Sequence, residues 1–156
     1  MANTPRDRAI ALANACKDPK KLTQMAKNAA AQGDLDLERV ILRNLYAVMP
    51  KEEPGTIEHD VWQSIYALEG ALKAERGKTI LLARTRQKIA RDGERKTVED
   101  LVMGKPSEGF AMLLDRGMPE LTFEALALRH PDIFGEETRR QAQERLNASG
   151  TADLVN

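Results

Sequence analysis

The sequence predicts an all-α protein, a compact orthogonal array of about eight or nine short helices. Helix start and stop signals recur along its whole length, and the apolar residues between them are spaced three and four apart. No segment alternates apolar and polar residues with the β-branched enrichment that a pleated strand favours.

Thr4-Pro5-Arg6-Asp7 opens the first helix, with a capping threonine, proline at the first helical position and an acid at the third. Asp18-Pro19 repeats the signal, and Gly33 closes that second helix at Gln32. Asp34 caps a third helix that runs to Pro50, with Leu37, Val40, Ile41, Leu45 and Val48 on one face. The stretch Met25–Pro50 resembles a tetratricopeptide unit in its Gly33-Asp34 turn and its Pro50. Glu38 and Leu42 stand where that repeat places alanine and an aromatic, and no second copy follows.

The fourth helix carries the most regular stripe: Ile57, Val61, Ile65, Leu68 and Leu72, with Trp62, Tyr66 and Glu69 alongside. A basic helix follows, broken from the fourth near Gly77 and ended by Gly93, with Leu81, Leu82, Thr85 and Ile89 expected on its buried side. Thr97 is expected to cap a short helix ending at Met103. Further helices fit Ser107–Arg116, Pro119–His130 and Glu136–Asn147. The expected organisation is one helical domain over residues 1–156: a helical group at 4–50, an acidic loop at 51–55, a helical core at 56–147 and a frayed tail at 148–156.

Composition fits a protein with a charge-rich surface: 42% hydrophobic, 31% charged and only 4% aromatic, so aliphatic side chains must build the core. The lone Cys16 excludes an internal disulfide and suits a reducing cytoplasm, the expected location. No run approaches the roughly 20 apolar residues of a membrane-spanning helix, so no membrane partner is expected.

The chain as a whole is neutral, 24 basic against 24 acidic residues, yet Lys73–Lys96 holds nine Lys or Arg against three acids. Such an imbalance favours an anionic partner. Arg84, Lys88, Arg91 and Arg95, with Lys96 beside them, are spaced to track phosphates, which makes nucleic acid the first expected partner. Residues 97–156 bear 6 basic and 11 acidic side chains, so an internal match for those cations is also available. Trp62 and Tyr66 are the candidates for a protein contact or self-association.

Gly77-Lys78-Thr79 has Leu72 where a phosphate-binding loop requires glycine, and a helix precedes it instead of a strand. His59 and His130 lack a second ligand at helical spacing, and the acids cluster near helix starts, where they complement the macrodipole. No catalytic motif, metal set or cofactor motif emerges. The expectation is a small, non-enzymatic regulatory or accessory protein contacting nucleic acid, with a helical protein-interaction module as the alternative.

Overall fold

The computed structural model describes residues 4–150, and all its regular structure is helical: nine α-helices and one 3-10 turn among the described residues, with no strand. The chain divides into two compact units, residues 1–51 and 52–156, and the division falls in the loop expected at 51–55. No helix among the described residues is long and apolar enough to cross a membrane.

The amino-terminal unit contains α1 (Pro5–Ala15), α2 (Pro19–Ala31) and α3 (Leu35–Val48). Its three starts are those read from the sequence. Thr4 forms the full capping box with Asp7, Asp18 accepts from the Lys20 amide and Asp34 from the Leu37 amide. Both α1 and α2 pack on α3. Arg6 donates to Asp34 (Nε to Oδ2, 3.0 Å), and Asn44 donates to Asn14 at 2.8 Å. Buried Leu22, Ala26 and Ala29 on α2 and Leu37, Ile41 and Leu45 on α3 follow the expected periodicity. On α1 only Ala13 is buried, and Leu12 is 65% exposed.

The second unit contains α4 (Ile57–Arg76), α5 (Ala83–Asp92), α6 (Glu94–Met103), α7 (Glu108–Asp115), α8 (Phe123–Arg129) and α9 (Glu136–Ser149). All five residues of the predicted α4 stripe are buried. Ile57, Val61 and Ile65 join Ile89, Val98, Val102, Leu126 and Phe134 in one apolar cluster, while Leu72, Ala71 and Met112 form another. Burial of each such large aliphatic side chain stabilises by about 1.5–3 kcal/mol relative to exposure.

Several boundaries differ from the sequence reading. Gly93 ends α5 as expected, with φ +87°, but α6 starts immediately at Glu94. The Thr97 hydroxyl bonds back to the Gly93 carbonyl (2.8 Å) and caps nothing. Arg95 and Lys96 therefore stand in the first turn of α6, separate from the helix bearing Arg84, Lys88 and Arg91. The Pro119–His130 segment is two elements, a 3-10 turn at Pro119–Leu121 and then α8, because Thr122 is extended and caps Ala125. Leu81, expected on a buried face, is 57% exposed, since residues 78–82 are an irregular connector. Helix α9 continues through Ser149 to a left-handed Gly150, two residues past the expected Asn147; the rest of the expected tail lies outside the described residues.

Candidate interaction surface

Helices α5 and α6 carry the five cations singled out as phosphate contacts, and four of the five are in ion pairs. Lys88 Nζ reaches Asp100 at 2.7 Å and Asp92 at 3.0 Å. Arg91 meets Asp92 at 3.2 Å, Arg95 meets Glu99 at 2.8 Å and Lys96 meets Asp100 at 3.0 Å. Helical spacing explains most of these contacts, because Lys88–Asp92, Arg95–Glu99 and Lys96–Asp100 are all i,i+4 pairs. The tight Gly93 turn then brings Asp100 of α6 back to Lys88 of α5. Arg84 is exposed and has no ion pair among the described residues.

The titration behaviour follows from the same contacts. Hydrogen bonds from Lys88 and then Lys96 hold the Asp100 carboxyl below its ordinary value. Those from Lys88 and Arg91 do the same to Asp92. Lys88 is raised in turn, first by Asp100 and then by Asp92.

Arg86 leaves this face and turns toward α4. Its guanidinium forms a bidentate pair with Glu69, Nε to Oε2 at 2.8 Å and Nη2 to Oε1 at 2.7 Å. Glu69 Oε2 also accepts the Leu82 amide at 2.8 Å, so one buried carboxylate fastens both the entry to α5 and its first turn. The hydrogen bond to Glu69 is the main reason the Arg86 guanidinium is pushed up from its ordinary value. Above Arg86 lie the partner-contact candidates. Its Cζ sits 5.3 Å from the Trp62 ring centre and 5.9 Å from that of Tyr66. The Trp62 indole donates to Glu94 at 3.3 Å. Both rings are half-buried, each with a face against Arg86, and the Trp62 N–H is engaged within the unit.

Two further charged clusters tie helices together. Arg145 and Glu124 form a buried pair at 2.8 Å, each side chain 6% exposed. Arg145 also donates to the carbonyls of Leu101 and Gly104, closing the last turn of α6. His130 Nε2 lies 2.7 Å from Asp60, which Arg129 also approaches at 3.6 Å. Asp60 is the one carboxylate in the cluster, and no group of three His, Cys, Asp or Glu residues is placed to hold a metal among the described residues.

The sequence did not reveal an apolar pocket of about 210 Å³ in this unit. Its walls are Leu68 and Leu72 of α4, Leu82 before α5, Leu101 of α6, Met112 of α7 and Phe123 of α8. Thr85, Ser107 and Glu108 supply its polar edge. It lies where the short helices α5, α6 and α7, with irregular connectors before α5 and α7, meet the carboxyl-terminal half of α4 without closing over it. Gly109 also lines it: a Cβ there would come within 2.8 Å of Leu68 Cδ2, so glycine lets α7 approach α4 closely. Leu68 and Leu72 are read from the α4 stripe, and Leu82 and Thr85 are expected on a buried face, but nothing local marks Leu101, Met112 and Phe123 as converging with them.

No known protein family, curated protein or solved structure matches the chain. Residues 25–50 fall on the second half of α2, the turn after it and α3.

Proposed function

We propose that the chain is a non-enzymatic protein-interaction module, and that the pocket beside α4 receives an apolar side chain of a partner. The supporting observation is the contrast between the two exposed features of the second unit. The cations are largely answered by the chain's own carboxylates, whereas the leucine-lined pocket is open to solvent. Sites for drug-sized ligands occupy about 300–1,000 Å³. A volume of about 210 Å³ falls below that range and suits a single large side chain. Anchors of this kind supply much of the affinity of protein interfaces.

Contact with a nucleic-acid backbone through Arg84, Lys88, Arg91, Arg95 and Lys96 is the second reading. It draws support from Arg84, and from the outward heads of Arg91 and Arg95, 67% and 59% exposed. Exposed ion pairs are weak and can be exchanged for phosphate contacts.

Affinity capture from cell extract with three baits separates the readings: wild type, Thr85→Phe to fill the pocket, and Arg84, Arg91 and Arg95 all changed to Ala. Under the interaction reading, a protein is retained by the wild type and the triple variant and lost with Thr85→Phe. Nuclease-sensitive retention that disappears only in the triple variant would overturn it in favour of the second reading.

A further inference from the structure

We infer that the pocket's partner is an acidic segment presenting a leucine- or phenylalanine-sized anchor flanked by carboxylates; this rests on the interaction-module reading.

Taken whole, residues 52–156 are acidic, with 15 basic and 19 acidic side chains. The surroundings of the pocket depart from that average. Glu108, on its edge, is already matched by Arg76 of α4 at 3.4 Å. Arg84 is exposed beside the pocket-lining Thr85, and Lys105 is exposed in the connector between the lining residues Leu101 and Ser107. Neither cation has an ion pair among the described residues. Helix α5 begins at the pocket with neither an acid in its first turn nor a side-chain cap. That helix end is met by Glu69, which accepts the Leu82 amide, so the positive charge near the pocket comes from Arg84 and Lys105.

The apolar wall, and the two exposed cations that neighbour its lining residues in the chain, select for two properties together. A carboxylate-flanked aliphatic or aromatic side chain satisfies both, the anchor by desolvation and its neighbours by charge complementarity. A nucleic acid satisfies only the cations. Its bases bind through stacking on aromatic platforms, whereas this pocket is walled mainly by Leu and Met, with Phe123 its one aromatic residue.

Two synthetic peptides test the inference, each with one central leucine, flanked in one by glutamates and in its twin by lysines. The readouts are the methyl NMR signals of Leu68, Leu101 and Met112, together with titrated affinity. The glutamate peptide is expected to shift these methyls saturably and to bind at least about tenfold tighter than its twin, with electrostatic complementarity setting the preference. Arg84→Glu and Lys105→Glu, both exposed and so compatible with folding by circular dichroism, should each erode that preference. Equal or tighter binding of the lysine peptide at the same methyls overturns the acidic partner and leaves the module standing. If neither peptide moves the methyls, both the acidic partner and the pocket as a docking site fail.

Discussion

The charged face of α5 and α6 and the pocket beside it show two opposite ways of presenting a surface. On the face, Lys88, Arg95 and Lys96 meet carboxylates one helical turn away or across the Gly93 turn, and Arg91 meets the adjacent Asp92. In the pocket, leucines from separate helices converge without an internal partner to cover them. The face looks conspicuous in the sequence because charges are counted along the chain. The pocket is inconspicuous because its walls lie far apart in sequence. A linear excess of charge thus becomes a field only where the fold leaves it unpaired.

The largest expected effect comes from removing what holds the two regions together. Glu69→Ala strands Arg86 and the Leu82 amide, and should destabilise the protein by about 2–3 kcal/mol in denaturant unfolding. That is less than the roughly 3–5 kcal/mol of a fully buried pair, because the Arg86 side chain is 31% exposed. Because Arg86 also rests on the indole, Trp62 emission should shift. A variant as stable as wild type would show that α5 is held by something else.

Unclasping the face sharpens the contrast next. Changing Asp92, Glu99 and Asp100 to their amides frees Lys88, Arg95 and Lys96, and should raise affinity for duplex DNA at low salt by about tenfold or more. Equal, tight binding by wild type and variant would erase the distinction between a paired and an open surface. Filling the pocket with Thr85→Phe should abolish shifts of the Met112 methyl by the glutamate peptide, with stability changed by about 1 kcal/mol or less, since Thr85 is half-buried at the edge of open space.

The smallest effect is a pH dependence. Asp34, Asp92 and Asp100 are all held below the ordinary carboxylate value, Asp34 chiefly by its hydrogen bond from Arg6. A depressed carboxylate stabilises the folded state fully above its unfolded value and loses that contribution as pH falls through the folded one. Stability should therefore decline below about pH 4, and neutralising Asp92 and Asp100 should flatten the acid limb. An unchanged limb would mean that these pairs contribute nothing measurable.

Local signals made most of the fold legible. Caps at Thr4, Asp18, Asp34 and Ser107 act within one turn, and the α4 stripe needs only periodicity, so both could be read from neighbouring residues. Gly93 is legible as a helix end, but its ability to start α6 at once depends on a positive φ and on contacts beyond the segment. Of the seven candidate contact residues, Trp62 and Tyr66 were recognisable as the edge of a stripe, while their engagement by Arg86 depends on where α5 returns. The pairing of Lys88 with Asp100 joins two helices and has no local signature. Leu68, Leu101, Met112 and Phe123 come from four helices, so their convergence is a property of packing alone.

One consequence concerns how the pocket could change size. Helix α5 hangs between two glycines of positive φ, Gly77 and Gly93, and contributes a single buried side chain, Ile89, to the core. Its fastening to α4 is concentrated in the three bonds accepted by Glu69. The wall carrying Leu82 and Thr85 thus lies between two glycines and is fastened at its start mainly through Glu69, with Ile89 and the Lys88–Asp100 pair holding its far end. Its first amides should exchange with solvent sooner than those in the middle of α4. A guest bulkier than one leucine would be accommodated by slipping that first fastening, leaving the aliphatic floor undisturbed.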